Sequence, residues 1–280
     1  MHSATIRRGL RSAPGARALS RGLRQSWERV RPFPLPRYPA ATPRIGGGNA
    51  LDPFLPPTAL TLGAAAMSPA TVDAVVGVLE KLTPIEEYSA SRYFYEMARA
   101  KYGEHWRYAD LLTALWAAAS LIQPRAYLEI GMWRGRSAAV VATACPTCAI
   151  YGFDLWIPEY DGVPNPGPDF IRGELQRVGH ASPVELVSGD SRKTVPDFLR
   201  RHPELYFDLL TIDGTKAVAG VASDFAHTLP RLKIGGAVVF DDIPRVPVLD
   251  RIWDRVIRRD RATYAGSSAT PGPAWPWRCA

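Results

Sequence analysis

Apolar positions along this chain follow two regimes, and the change comes at Ala126. Upstream, from Ser68 to about residue 122, they recur at helical spacing, as in Leu111, Leu112, Leu115, Trp116 and Ala119. Ser68-Pro69 has the form of an N-cap followed by proline at the first helical position, so helices are predicted near 70–82, 85–101 and 106–122. From Ala126 onward, short apolar runs alternate with helical stretches. The runs are AYLEI (126–130), AIYGFD (149–154), PVELVSGD (183–190), FDLLTID (207–213) and GAVVFDD (236–242). Helical intervals lie near 136–144, 168–179, 192–201, 216–231 and 247–260. Strands apolar on both faces, with helices between them, predict a mostly parallel sheet covered on both sides. With right-handed crossovers this is a doubly wound α/β fold preceded by N-terminal helices, and such sheets bind ligands at the carboxyl ends of their strands.

Composition sets the boundaries. Residues 1–66 hold nine of the 26 prolines, ten Arg and only two acids, Glu28 and Asp52, a net charge of +8 against +7 for the whole chain. The remaining residues are therefore nearly neutral, and the basicity gives no reason to expect a nucleic-acid partner for the folded part. The 1–66 stretch reads as a disordered, Pro/Arg-rich leader. Its first 27 residues, free of acids, also have the look of an organellar transit peptide. A helical segment at 67–122, capping the substrate, a core at 123–262 and an irregular tail at 263–280 complete the expected organisation. Three cysteines are too few for a disulfide framework and point to the cytoplasm, or to an organelle if the leader is a transit peptide. Cys145-Pro-Thr-Cys148 lacks two further ligands for zinc and reads as two thiols at a helix end. No apolar run reaches the roughly 18–20 residues of a membrane helix.

Chemistry concentrates at the strand ends. The first strand runs into Glu129-Ile-Gly131-Met-Trp-Arg-Gly135-Arg-Ser137, where Gly131 and Gly135 allow a tight turn and close approach of a ligand. Bulky Met132 and Trp133 depart from the GxGxxG of dinucleotide enzymes. The second strand ends in Asp154, placed to accept hydrogen bonds from ribose hydroxyls, and the third in Asp190-Ser191. Together these acids form a negative rim that would repel a pyrophosphate and suits a cationic sulfonium cofactor. Asp213 closes the fourth strand and Asp241-Asp242 the fifth. Three converging carboxylates call for Mg²⁺ or another divalent cation, which would acidify and orient a substrate hydroxyl. The rival reading is structural, with the Asp pair capping or pairing with Arg245 or Arg251.

In the order EIGxxxGxS, FD, GDS, FDLLTIDG and LKIGGAVVFDD, residues 105–260 resemble the Rossmann-like class I S-adenosylmethionine-dependent methyltransferases. Within that class the chain is similar to two metal-dependent O-methyltransferase groups, the macrocin-type sugar enzymes and the catechol and caffeoyl-coenzyme A enzymes. The resemblance implies that Glu129, Gly131 and Ser137 line the methionine end, that Asp154 holds the ribose, and that Asp190 and Ser191 flank the adenine. It also implies a turn at Gly235-Gly236 before the fifth strand. Lys216, three residues after Asp213, has the spacing of the catechol-type general base, whereas the sugar-type enzymes carry IDGxH there. Asp242 stands where the catechol type has Asn. A lysine acts as a base only if its pKa falls well below the ordinary value of about 10.4, the alternative being a solvated helix start. Asp224 and His227 read as a packed or surface pair.

Only twenty residues follow the helix near 247–260, with room for one short strand at 262–265, so an incomplete closing hairpin is expected. A second copy of the chain could supply the missing edge. The insert WIPEYDGVPNPGPD (156–169) has the make-up of a substrate lid. The leading reading is an O-methyltransferase acting on a hydroxylated small molecule, sugar or natural product. A methyltransferase-like scaffold without turnover and a nucleotide-dependent oxidoreductase are the alternatives.

Overall fold

The computed structural model describes residues 59–160, 162–242, 248–249, 251–253, 266–267 and 278–279, all within one compact unit, Pro43–Ala280. It opens with four helices, α1 (Ala59–Ala66), α2 (Pro69–Leu79), α3 (Glu86–Tyr102) and α4 (Leu111–Ile122). The boundary of the expected leader therefore moves, because 59–66 folds. Leu62 and Ala66 are buried in the same apolar cluster as α4. A Pro/Arg average over 66 residues hides an eight-residue alanine-rich helix whose order comes from packing. α2 starts as expected, with Ser68 Oγ accepting from Thr71 N–H at 3.2 Å and Pro69 in the first turn. α4 begins five residues later than its periodicity suggested. Asp110 caps it, accepting from the Leu112 and Thr113 N–H groups, while Thr113 Oγ1 accepts from Asp110 N–H.

The alternating region gives β1 (Ala126–Ile130), α5 (Arg136–Ala144), β2 (Ala149–Asp154), the short strands β3 (Glu159–Tyr160) and β4 (Val163–Pro164), α6 (Pro168–Arg177) and β5 (Val184–Ser188). It continues with α7 (Ser191–Arg201), β6 (Phe207–Ile212), α8 (Val218–Thr228) and β7 (Leu232–Phe240). The parallel core has the order β5-β2-β1-β6-β7. β1 is thus central, and successive strands are added first to one side of it and then to the other.

All five residues of β1 are buried, and they alternate between two apolar layers. Tyr127 faces the layer built with α1 to α6, while Ala126, Leu128 and Ile130 face the layer built with α7, α8 and Leu249, Ile252 and Trp253. Helices on both faces explain why the central strands β1 and β6 needed no polar side, whereas the edge strand β5 exposes Glu185 and Ser188. β7 starts at Leu232 rather than 236: Phe207 pairs with Leu232, the register then shifts, and Leu209 pairs with Ala237. The expected turn at Gly235-Gly236 is therefore an irregularity inside the strand, with Gly235 at φ +83°. Two two-residue strands, β8 (Gly266–Ser267) and β9 (Arg278–Cys279), close the sheet, β9 lying antiparallel to β7 and β8 to β9. The strand expected at 262–265 lies outside the described residues. No helix among the described residues is long and apolar enough to cross a membrane.

Candidate active site

The sheet reverses direction of growth between β1 and β6, which is where doubly wound sheets open a crevice at their carboxyl ends. The backbone shows the opening directly. Gly131 N–H donates to Phe153 O and Asp213 N–H to Ile130 O, both at 2.8 Å, so the three strand ends are tied before their loops diverge. A cavity of about 1230 Å³ lies above them. Single ligand pockets occupy roughly 300–1,000 Å³, so this one has room for a cofactor and a second molecule.

Gly131 lines the cavity at φ +89°, and a β-carbon there would lie 2.3 Å from Asp213 O. Gly135, Glu129 and Ser137, expected at the ligand, are not on the cavity wall. Gly135 starts α5 at φ +81° with Ile171 packed against it. Glu129 is fully buried beneath the turn, where Ser137 Oγ donates to its Oε1. Burial pushes its carboxyl up to about 8, against the hydrogen bonds from Ser137 and Tyr127. These two residues therefore support the turn from below. An acid whose folded pKa is raised binds its proton more tightly folded than unfolded. Its contribution to stability is complete below the ordinary value of 4.5 and is lost as pH rises through about 8. Glu129→Gln, neutral at every pH, is expected to keep the fold and to lose less stability than the parent between those limits. Urea unfolding at a series of pH values measures this, and parallel pH profiles would contradict it.

Asp154 lines the cavity, but its carboxylate is already engaged. Oδ2 accepts from the Met132 and Trp133 N–H groups at 2.8 Å each, and Oδ1 from Trp156 N–H at 2.7 Å. Oδ2 is saturated, and one lone pair remains on Oδ1 for a ribose hydroxyl. Trp133 and Trp156 both sit at positive φ, 46° and 50°. The bulky loop thus differs from a glycine-rich one in directing its N–H groups to a side chain. Asp190 and Ser191 also lie on the wall. Asp190 caps α7 and pairs with Arg192 at 2.6 Å, and that hydrogen bond holds its carboxyl below the usual range.

At the carboxyl ends of β6 and β7 two of the three expected carboxylates, Asp213 and Asp242, meet on a lysine. Lys216 Nζ lies 2.6 Å from Asp213 Oδ1 and 2.7 Å from Asp242 Oδ2. Burial works to lower the Lys216 pKa, yet the charges of Asp213 and Asp242 outweigh it and hold the ammonium above its ordinary range. Lys216 is thus held as a cation between the two carboxylates. Among the described residues no three His, Cys, Asp or Glu side chains converge to hold a metal ion. The residues therefore do not fit the expected divalent cation, since the ammonium already occupies the place between two of the three carboxylates. Asp241 is nine-tenths buried, lines the cavity, and its Oδ1 has no hydrogen-bond partner among the described residues. Desolvation, with Asp213 and Asp242 nearby, raises its pKa. Arg245, proposed above as a structural partner, lies outside the described residues.

The helical segment expected to cap the substrate supplies part of the wall, through aromatic residues that their spacing did not single out. Phe94, Trp106 and Tyr108 line the cavity there, with Trp106 stacked on Tyr108 at 5.1 Å. Arg136, next to Gly135, pairs with Glu87 at 3.3 Å and donates to Ser91 Oγ. Tyr88 OH donates to Arg134 O at 2.6 Å, so α3 is bonded directly to the glycine turn. A tyrosine at helical spacing gives no sign of such a long-range bond. The 156–169 insert forms the β3/β4 hairpin beside the cavity, with Tyr160 edge-on to Trp133 at 5.9 Å and Arg134 donating to Pro164 O at 2.6 Å. Asp224 and His227 are not paired: Asp224 is buried, its carboxyl raised to about 6 by burial, and His227 Nδ1 contacts Ser223 O.

Residues 128–243 match the sequence model of a family described as a methyltransferase domain. Among solved structures, the calicheamicin methyltransferase CalS11 is 23% identical, with a TM-score of 0.48, covering 74% of this chain and 90% of its own. The O-methyltransferase TomG from Streptomyces achromogenes, solved with S-adenosylmethionine, is 21% identical, with a TM-score of 0.48, covering 71% and 90%. An O-methyltransferase from Bacillus cereus is 17% identical, with a TM-score of 0.45, covering 75% and 90%. Likeness at this level assigns no substrate. No curated protein matches the chain.

Proposed function

We propose that this chain, whose residues 128–243 match the model of a methyltransferase domain, is a class I S-adenosylmethionine-dependent methyltransferase that methylates a hydroxyl oxygen of a small molecule, a sugar or natural product. The observation that carries the reading is Asp241, a buried carboxylate on the cavity wall whose Oδ1 has no hydrogen-bond partner among the described residues, within the field of the fixed ammonium of Lys216. The Gly131 turn and the remaining lone pair of Asp154 would hold the adenosyl cofactor, which supplies the methyl group when bound. Asp241 accepts the acceptor's O–H and takes its proton as the new O–C bond forms. Lys216 offsets the negative charge that builds on that oxygen. Phe94, Trp106 and Tyr108 offer faces against which a ring can lie.

Calorimetric titration with S-adenosylhomocysteine, S-adenosylmethionine and NAD tests the cofactor, and a polyol and catechol panel tests the acceptor. Saturable binding of the adenosyl ligands and none of NAD is expected; rejection of both adenosyl ligands overturns the reading. Asp241→Asn should slow methyl transfer by about 10²- to 10⁴-fold, the usual worth of a positioned proton acceptor. Its affinity for S-adenosylhomocysteine should stay near the parent's. A variant that keeps the full rate would remove Asp241 from the chemistry.

A further inference from the structure

We infer that Lys216 is the built-in cation of this site, replacing a bound divalent metal, so that the carboxylates at the ends of β6 and β7 work without one. The inference rests on the methyltransferase reading above. Three oxygen contacts define the position: Asp213 Oδ1 at 2.6 Å, Asp242 Oδ2 at 2.7 Å and Asp213 O at 3.4 Å. A divalent cation binding the same two oxygens, Asp213 Oδ1 and Asp242 Oδ2, would need them at about 2.0–2.6 Å and would displace the ammonium into the cavity against its charge. The ammonium therefore holds the position between the two strand ends that a bridging metal would take.

The placement is also anchored locally. Lys216 follows Asp213 by three residues in the loop before α8, and Ala217 N–H is held by Thr215 Oγ1 at 3.1 Å. Its side chain is only 30% exposed, so it cannot swing freely into solvent without leaving Asp213 and Asp242 facing each other. A tethered ammonium keeps its charge and its position at any metal concentration. It has no open coordination position, so the acceptor is oriented by Asp241 and the aromatic wall.

The test uses the full chain stripped of metal, with Mn²⁺ alone as the probe and no adenosyl ligand present. Wild type should show no saturable uptake of Mn²⁺ and no rise in Tm, and EDTA should leave methyl transfer unchanged. A metal-assisted reaction would lose on the order of 10²-fold or more on chelation. Lys216→Ala should lose Tm and recover part of it with Mn²⁺, because a free cation then relieves the two carboxylates. Lys216→Gln, which keeps length and a polar tip, serves if the alanine variant fails to fold. Stoichiometric Mn²⁺ uptake by wild type that disappears in Asp242→Asn overturns the inference, as does a folded Lys216 variant whose Tm Mn²⁺ leaves unmoved. S-adenosylhomocysteine binding is scored separately, so loss of the cofactor reading would be seen apart from the metal result.

Discussion

Gly131→Ala is expected to unfold the β1–α5 turn of this protein, with a stability loss above about 4 kcal/mol and, on the proposed function, no measurable binding of S-adenosylhomocysteine. Two independent costs coincide at this position. The backbone is at φ +89°, which a side chain adopts only under strain, and the new β-carbon would meet Asp213 O at 2.3 Å. Relief would require moving the strand end of β6 away from β1. That would stretch the 2.8 Å bond from Asp213 N–H to Ile130 O and shift Asp213 off Lys216. Gly77→Ala is the matched control. It lies inside α2 with no atom within 4 Å of the added carbon, and should be neutral or stabilising by up to about 1 kcal/mol. Urea unfolding and calorimetry on both variants measure the contrast; equal stabilities would show that the β1 turn tolerates side chains.

Asp154→Ala should cost on the order of 3–6 kcal/mol, because three backbone N–H groups lose a charged acceptor at once. Two of the residues so held, Trp133 and Trp156, sit in left-handed backbone that each would leave if released, and the strain is of order 1 kcal/mol apiece. The rest of the loss is loop geometry, so the affinity for S-adenosylhomocysteine should fall by about 10²-fold. Asp154→Asn separates charge from shape. Its oxygen can serve Met132 and Trp133, but its amide nitrogen then faces the Trp156 N–H, donor against donor, so an intermediate loss is expected. Tryptophan fluorescence reports the loop and calorimetry the cofactor. An alanine variant with unchanged emission and affinity would mean that the loop holds itself.

Much of the fold was legible because it depends on local pattern. β1, β2 and α5 fall where their apolar runs and helical interval do, since strands buried on both faces leave no ambiguity of face and Gly131 and Gly135 mark the turn between them. The ends were less legible. α4 waited for Asp110 because a cap overrides periodicity, and α1 was hidden in a leader whose average composition is polar and proline-rich. β7 runs past Gly235-Gly236 because pairing with β6, a long-range partner, extends it.

At the site, the residue types on the strand ends were found and their roles were redistributed. Glu129 and Ser137 occupy the predicted turn, but only packing decides that the pair lies beneath it, away from the cavity. Asp154 was identified as an acceptor of hydrogen bonds, and the donors that reach it are the Met132 and Trp133 N–H groups of the β1–α5 turn and the Trp156 N–H of its own loop. The spacing of Asp213 and Lys216 was compatible with a base, a metal site or an ion pair. Spacing within one loop says nothing about Asp242, which arrives from a different strand.

By itself the sequence determined the alternation of elements, the glycine turn and the acids at the carboxyl ends of the strands, because those follow from periodicity and from backbone conformations few residues allow. Tertiary structure decided which of those acids meet, how far each is buried, and that an ammonium stands between Asp213 and Asp242. Those outcomes depend on distances between residues far apart in the chain, and so do the desolvation and Coulomb energies that set their charge states.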